Sequence, residues 1–250
     1  MKLFKRSQKN IILITNGEKI MKKIGLIGGT APESTIMYYK KLTHELNEMN
    51  GGEKLPEISI ESVDMYNILN QIGNRNCEEA SDYMVERIKY LKNGGAEIIS
   101  FTSVTMHILL DHIYKKTDIE LESIPKAVCE KAVSKGIKKV GLLGTGFTMK
   151  ENHMKKDFIK EGIEVFVPDE KGQELIDNKI FEELVHGTIN KSTVEEFVNI
   201  IEEMKNKYGI EAIILGCTEI PLIINDDNSP VPVLNATEIH INKLIKMAMD

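Results

Sequence analysis

Short apolar runs alternate with long amphipathic stretches from Lys23 to the end of the chain. Because a strand followed by an amphipathic helix is the repeating unit of parallel sheets, this alternation predicts an α/β fold. The run I-G-L-I-G-G-T at 24–30 is echoed by V-G-L-L-G-T-G at 140–146. The echo predicts two similar Rossmann-like lobes with parallel sheets. The carboxyl ends of the strands should face a ligand-binding cleft between the lobes.

Turn signals and the echo divide the chain. We assign residues 21–120 together with 231–250 to the first lobe and residues 121–230 to the second. Residues 1–20 precede a second start at Met21 and are predicted to be an N-terminal extension; the alternative is an added edge strand at 11–15. The predicted strands are 23–28, 57–63, 97–101, 139–146 with its glycine turn, 164–168, 211–215 and 230–235. The predicted helices are 32–50, 78–93, 125–135, 149–161, 172–186, 192–207 and 237–249.

Charge and cysteine content exclude several classes of function. The 250 residues carry a formal net charge of −6 and a pI near 5.7, which argues against a general nucleic-acid binder. No apolar run approaches the roughly 20 residues that span a bilayer. Cys77, Cys129 and Cys217 are too widely spaced for a disulfide framework or a zinc ligand set, and they fit a reducing cytoplasm. We therefore expect a cytoplasmic protein with no metal site and no nucleic-acid or membrane partner.

Two strand ends carry the side chains suited to chemistry. Cys217 follows the apolar run E-A-I-I-L and opens the motif C-T-E-I-P, where a strand gives way to a loop. The earlier run E-I-I-S-F is followed by T-S-V-T-M-H at 102–107, which places hydroxyls at the equivalent point. Because α/β enzymes bind ligands at such strand ends, Cys217 is a candidate catalytic thiol. The alternative is an inert core thiol, since free cysteines are commonly buried.

Glycine turns with threonine hydroxyls precede two of the predicted helices. Thr30 lies in the first turn, where the hydroxyls of Ser34 and Thr35 follow it, and Thr145 and Thr148 lie in the second. Neither turn matches a dinucleotide fingerprint or a P-loop. Backbone amides and hydroxyls at two matching turns would suit a small dicarboxylate held from both lobes. The alternative is that these threonines are ordinary helix caps. His107 and His240 are interpreted as structural residues.

Taken together, these motifs resemble those of the aspartate/glutamate racemase family. The matching segments are I-G-L-I-G-G-T-A-P-E-S-T at 24–35, T-M-H at 105–107, G-L-L-G-T-x-F-T-M at 141–149, I-L-G-C-T-E-I-P-L at 214–222 and T-E-I-H at 237–240. They keep the family's order from Met21 to the C terminus. The resemblance implies a cofactor-independent reaction in which an acid/base group on each lobe faces one side of the substrate α-carbon.

The same resemblance implies roles for individual residues. Cys217 matches the thiol that acts on the L-enantiomer. The opposite acid/base position is Ser103, where the family has Cys or Thr, and Thr102 is a less favoured stand-in. A hydroxyl is a far weaker acid than a thiol, whose reference pKa is about 8.5, so Ser103 can return a proton to a carbanion but is a poor base. Substrate-binding roles are implied for Thr30, Thr105, Thr145, Thr148, Thr218 and Glu219.

Two other positions depart from the family pattern. The family's Asn after the first acid/base is Val104, which has no side-chain donor, and the family's Asp near the last strand is Asn235. We therefore expect a homodimeric, cofactor-independent amino-acid racemase of the aspartate/glutamate class that is inefficient or works in one direction from the L side. The alternatives are a dicarboxylate or amino-acid binding protein that has lost catalysis, and a related diacid isomerase or decarboxylase.

Overall fold

The computed structural model describes residues 21–250, which fold around two parallel β-sheets. The predicted α/β fold is confirmed, while the predicted extension at 1–20 and its alternative strand at 11–15 lie outside the described residues. The first sheet has the spatial order second–first–third and contains β1 (Ile24–Gly28), β2 (Ile58–Ser62) and β3 (Ile98–Phe101). The second sheet contains β4 (Lys139–Leu143), β5 (Glu164–Phe166), β6 (Ala212–Leu215) and β7 (Val233–Asn235), in the spatial order β5-β4-β6-β7.

Helices cover the sheets, as burial of parallel strands on both faces requires. Within residues 21–250, none of these helices is long and apolar enough to cross a membrane. Short 3₁₀ helices occur at Thr105–Leu109, Leu184–His186 and Ile220–Leu222. The α-helices are α1 (Pro32–Met49), α2 (Met65–Gly73), α3 (Cys77–Asn93), α4 (Leu110–Ile113), α5 (Ile124–Ser134), α6 (Gly146–Lys150), α7 (Lys156–Lys160), α8 (Glu170–Glu182), α9 (Lys191–Tyr208) and α10 (Ala236–Met249).

Three helical regions differ from the prediction. The sequence interpretation omits the short helix α4, and it omits α2, although Asp64 caps α2 by accepting hydrogen bonds from the amides of Tyr66 and Asn67. The single helix predicted at 149–161 is wrong, because two short helices, α6 and α7, occupy this segment. The ammonium of Lys155 donates to the carbonyl of Met149 at 2.6 Å. This bond satisfies the end of α6 and lets the chain turn before α7 begins.

The echoed glycines of the two lobes have the same packing role. A Cβ atom at Gly25 would lie 2.9 Å from the Cβ of Ala96, and one at Gly141 would lie 2.6 Å from Cδ1 of Ile213. Both distances are well inside the ~3.5–4.0 Å at which carbon atoms pack favourably. The glycines therefore let neighbouring residues pack closely against β1 and β4. The repeated motif reflects the same packing requirement in each lobe.

The C-terminal segment contributes to both lobes. β7 pairs in parallel with β6, so the assignment of the whole of 231–250 to the first lobe is wrong for this strand. α10 packs Ile241 and Leu244 against Ile24 and Leu26 of β1, which confirms that the final helix packs on the first lobe. It also lies against α5 of the second lobe. The division at residues 120 and 121 stays a prediction.

A buried hydrogen-bond network joins α1, α10 and β3. The Tyr38 hydroxyl lies 2.7 Å from Nδ1 of His240, and the Ser100 hydroxyl lies 3.0 Å from Nε2 of the same ring. Ser100 also donates its proton to the carbonyl of Glu122 at 2.6 Å. His240 therefore donates from Nε2 to Ser100 and accepts from Tyr38 at Nδ1. Burial lowers the pKa of His240 to about 3, so the ring is neutral and structural.

We expect the fold to lose stability below pH 6.5 because three buried histidines must stay neutral. Burial lowers the pKa of His107 and His240 to about 3 and that of His153 to about 4, whereas an unfolded histidine titrates near ~6.5. Well above pH 6.5 these histidines are neutral in both the folded and the unfolded protein. Between pH 6.5 and the folded pKa values, only the histidines of the unfolded chain bind a proton. At pH 5 each histidine should lower the free energy of unfolding by about 2 kcal/mol relative to pH 7.

Urea unfolding at pH 7 and pH 5 measures this loss. The His153→Gln substitution should remove about one third of the difference between the two pH values, because one of three equivalent contributions disappears. The substitution His44→Gln, at an exposed position on α1, should leave the difference unchanged. Equal free energies of unfolding at the two pH values would contradict the prediction.

Candidate active site

The loop between β1 and α1 combines strained backbone with an unpartnered hydroxyl. Gly29 has φ +87° and Ala31 has φ +108°, and a non-glycine residue held there costs of the order of 1–3 kcal/mol. Ala31 gives α1 no side-chain cap. Thr30 is buried, with 4% exposure, and its hydroxyl makes no hydrogen bond within residues 21–250. The start of α1 therefore presents free amides, the positive end of the helix dipole and an available hydroxyl.

The first turn of α1 contacts the carboxyl ends of both sheets. The Ser34 hydroxyl lies 3.0 Å from the hydroxyl of Thr218, which follows the predicted catalytic thiol. The Thr35 hydroxyl lies 3.3 Å from the hydroxyl of Thr102, which precedes Ser103. Each predicted acid/base residue is thus one position away from a hydroxyl that α1 holds. The structure brings the loops after β1, β3 and β6 to one place.

Cys217 lies half-buried directly after β6 and has a carboxylate partner. Its Sγ donates a hydrogen bond to Oε2 of Glu219 at 2.8 Å. Burial raises the pKa of the Cys217 thiol well above its usual range, and the negative charge of Glu219 and the hydrogen bond to it raise this pKa further. The thiol is therefore protonated at neutral pH in the protein without substrate. Glu219 is placed to accept that proton.

Ser103 lies half-buried directly after β3, and a buried histidine holds its backbone. The ring of His107 donates from Nδ1 to the carbonyl oxygens of Ser103 and Val104, at 3.1 and 3.0 Å. Nε2 of the same ring accepts from the amide of Ile124 at 3.1 Å. Both ring nitrogens are therefore satisfied, and His107 fixes the turn that presents Ser103. Thr105 is half-buried at the start of the following 3₁₀ helix, and its substrate-binding role stays a prediction.

Val104 occupies the hydrophobic core and not the site. It is 8% exposed and packs in a cluster that includes Ile124 and Val128 of α5. Val104 therefore contributes to the apolar packing of the second lobe. An amide placed here would be surrounded by apolar side chains and would lack a partner.

The second glycine turn lies beside the thiol. Thr145 caps α6 by accepting from the amide of Thr148 at 3.4 Å, and the two hydroxyls lie 3.2 Å apart. A Cβ atom at Gly216 would lie 3.0 Å from Cγ2 of Thr148, so the buried Thr148 side chain packs against the residue before Cys217. The two threonines are close to the candidate base, but part of their hydrogen-bonding capacity is used in capping.

A carboxylate from α8 neutralises this turn. Oδ1 of Asp177 accepts a hydrogen bond from the amide of Gly146 at 2.6 Å. The sequence interpretation had no role for Asp177, because nothing local marks a residue more than thirty positions from the turn that it contacts. The sequence interpretation does name Ser34 and Thr35 as hydroxyls that could hold a carboxylate at the start of α1, but not their contacts with Thr218 and Thr102.

The predicted site residues line none of three open cavities elsewhere in the described chain. One of about 300 Å³ lies between α8 and α9, where Leu175 and Ile200 line it. A second, of about 570 Å³, lies beside β3, where Glu122, His153 and also His107 line it. A third, of about 380 Å³, is lined by Glu97 and Asp118. The candidate site is defined by hydrogen-bonded strand ends that the Ser34–Thr218 contact joins.

A thiol with a carboxylate partner at the end of a parallel strand, beside an uncapped helix N terminus, defines a site for acid/base chemistry on a small anion in an α/β enzyme. The sequence profile of the Asp/Glu/hydantoin racemase family matches residues 27–244. The chain belongs to this family, and its class is that of the racemase-type isomerases.

Individual relatives resemble the chain across both lobes. A Yersinia pestis protein described as a candidate Asp/Glu racemase is 33% identical, with a TM-score of 0.86 over 92% of this chain and 100% of that one. An aspartate racemase homologue from Pyrococcus horikoshii OT3 is 36% identical, with a TM-score of 0.81 over 92% and 100%. A glutamate racemase from Hydrogenobaculum sp. (strain Y04AAS1) is 26% identical over 183 residues, which are 70% of this chain and 68% of the relative.

We expect the Glu219→Gln substitution to lower the pKa of Cys217. It removes a negative charge beside the thiol and keeps a hydrogen-bond acceptor, so the thiolate becomes easier to form. The pH dependence of iodoacetamide alkylation, followed on the Cys217 peptide by mass spectrometry, should shift to lower pH. The exposed Glu195→Gln substitution on α9 should leave the midpoint unchanged. A midpoint for Glu219→Gln at or above that of the parent protein would contradict the prediction.

Proposed function

We propose that this protein racemises an amino acid without a cofactor. In the proposal Cys217 removes the α-proton of the L-enantiomer and Ser103 returns a proton to the opposite face. The observation that carries it is the 2.8 Å hydrogen bond between Cys217 and Glu219, next to the Thr218–Ser34 contact that joins the lobes. Membership of the racemase family supports the reaction type. The residues and the substrate are part of the proposal.

The substrate α-carboxylate binds at the start of α1 in this mechanism. It accepts hydrogen bonds from the Thr30 hydroxyl and from free amides of the first turn. The dipole of this 18-residue helix favours an anion there by about 0.3–1 kcal/mol. The same donors stabilise the charge that moves onto the carboxylate as the α-proton leaves, and such preorganised donors are the main source of catalysis in this kind of reaction.

Proton transfer then runs from the Cys217 side to the Ser103 side. Glu219 takes the thiol proton, and the substrate ammonium offsets the negative charge that otherwise raises the pKa of Cys217. The thiolate takes the α-proton, and the electron pair of the C–H bond passes to the carbanion. The Ser103 hydroxyl donates its proton to the other face and recovers one from water, and Glu219 releases the thiol proton to the hydroxide that remains, which restores both side chains. Because an alkoxide is hard to form in the resting site, solvent exchange of the α-hydrogen is slower for the D-enantiomer than for the L-enantiomer.

We expect solvent deuterium to enter the α-position of an L-amino acid in the presence of the protein. The Cys217→Ala substitution should lower this exchange at least ~100-fold, because it removes the base of the first step. The Cys77→Ala substitution, at the start of α3, is the matched control and should keep the rate. Proton NMR of the α-hydrogen follows the exchange. Full exchange in the Cys217→Ala protein would refute the mechanism.

We expect the Ser103→Cys substitution to accelerate deuterium entry into the D-enantiomer at least ~10-fold. A thiol, whose reference pKa is about 8.5, is a far stronger acid than a hydroxyl, so its thiolate would give both faces of the α-carbon a usable base. The substitution Ser134→Cys, at an exposed position on α5, adds a thiol elsewhere and should change nothing. Val104 should stay unchanged in these variants, since an asparagine in its apolar surroundings leaves an unsatisfied amide that costs about 1–3 kcal/mol. Unchanged D-exchange would remove Ser103 from the proposed role.

A binding protein without catalysis is the second candidate, and the hydroxyl of Ser103 in place of a thiol favours it. It would bind an amino acid in calorimetry and show no exchange of the α-hydrogen. A related decarboxylase would instead release carbon dioxide from a 2-substituted malonate. The predicted homodimer and the cytoplasmic location also stay predictions; light scattering on the purified full chain decides the oligomeric state.

A further inference from the structure

We infer that the substrate carries a single carboxylate, so that its side chain is uncharged or cationic rather than acidic. This inference rests on the proposed function and narrows the substrate class of the same site. Two features of the carboxyl edges of the two sheets support it: the charges of the side chains there, and the helix N termini that are free to bind an anion.

The strand ends supply no cation in the described chain. The three residues that follow each of the strands β1 to β7 include no Lys or Arg. They include three carboxylates, Asp64, Asp169 and Glu238, and Glu219 lies one position further along after β6. Because ligands of open α/β sheets bind outside these strand ends, an anionic side chain would find negative charges and no ion-pair partner among them.

Most helix starts at this edge are already occupied by the protein's own side chains. Asp64 accepts from two amides at the start of α2, and Asp169 accepts from the amide of Gly172 in α8. Asn235 accepts from an amide of α10 at 3.2 Å. At α6, Thr145 accepts from one amide and Asp177 from another. At each of these starts a protein side chain already accepts from at least one amide, so a second carboxylate would compete with it for the remaining donors.

Among the α-helices of residues 21–250 that follow a strand directly, α1 alone begins without a side-chain cap. Its N-cap residue is Ala31, and the neighbouring Thr30 hydroxyl is nine-tenths buried and lacks a partner within residues 21–250. The start of α1 is therefore the position most open to an anion. The α-carboxylate fills it, and a side-chain carboxylate directed at the second lobe would meet Asp177 or Glu219.

Matched pairs of amino acids test this inference. L-Glutamine and L-glutamate have the same shape and differ in charge, as do L-asparagine and L-aspartate. Deuterium entry at pH 7.5 and equal concentration should be at least ~10-fold faster for each amide than for its acid, the ratio that about 1.4 kcal/mol produces. Equal rates, or faster exchange of the acids, would overturn the inference while leaving the proposed reaction intact.

Absence of exchange with all four compounds would instead count against the proposed reaction. In that case calorimetric titration of the Cys217→Ala protein with the same pairs decides whether the site prefers a ligand with a single carboxylate. Tighter binding of the amides supports a site for one carboxylate, and binding of the acids that is equal or tighter overturns it. The two proposals therefore fail in distinguishable ways.

Asp177 gives a direct test of the charge argument. The Asp177→Asn substitution keeps an acceptor for the amide of Gly146 and removes the negative charge. The ratio of the amide exchange rate to the acid exchange rate should fall at least ~3-fold. The acid should exchange faster once the negative charge is removed, whereas the rate for the neutral amide should not change. Glu174→Gln, an exposed position on the same helix, is the control and should leave the ratio unchanged. An unchanged ratio in Asp177→Asn would remove Asp177 as a determinant of specificity.

Discussion

One buried face of α1 sets the geometry of the site. Ser34, Tyr38, Leu42 and Leu46 follow one another at intervals of four residues and are all buried. Leu42 and Leu46 pack in the core with β1 and α10, Tyr38 bonds to His240, and Ser34 bonds to Thr218 of the second lobe. Since a single rigid helix makes all these contacts, packing in the core fixes where Thr218 lies relative to Thr30. The lobes are held in register by a helix, and a change in that core would displace the site.

The energetics of the thiol explain why the proposed base forms only with substrate bound. Burial and the charge of Glu219 disfavour the thiolate, so the resting protein is protected from the oxidation and alkylation that a permanent thiolate would invite. A substrate ammonium changes this balance, because it brings a positive charge into a place where the neighbouring groups are negative. In the proposed mechanism the Cys217 thiolate therefore forms when the amino acid binds, and bulk solvent contributes little to its formation.

The fold and the main strand ends could be predicted because they depend on local pattern. The apolar run before Cys217 indicates a buried strand, and the repeated glycine motif indicates close packing. Both patterns depend on residues that are neighbours in the sequence. Asp177 and the His107–Ser103 contact could not be predicted, since each depends on residues brought together by the topology. β7 was assigned to the wrong lobe for the same reason: a strand three residues long carries no mark of the sheet that it joins. Val104 had the appearance of a lost substrate ligand because a sequence does not reveal which way a side chain points after a strand ends.

The two lobes have the same strand-and-turn pattern but differ at the start of the helix that follows. The second glycines of the echoed motifs, Gly28 and Gly144, each make room for a threonine methyl of that helix, Thr35 and Thr148. The 18-residue α1 begins uncapped, whereas at the start of the five-residue α6 two amides are bound by Thr145 and Asp177. In the proposed function a ligand with one carboxylate therefore binds with its anion on the first lobe. The proposed chemical asymmetry between Cys217 and Ser103 is then matched by an asymmetry of binding. Each enantiomer would present its α-hydrogen to a different residue, because its carboxylate would be held in the same place.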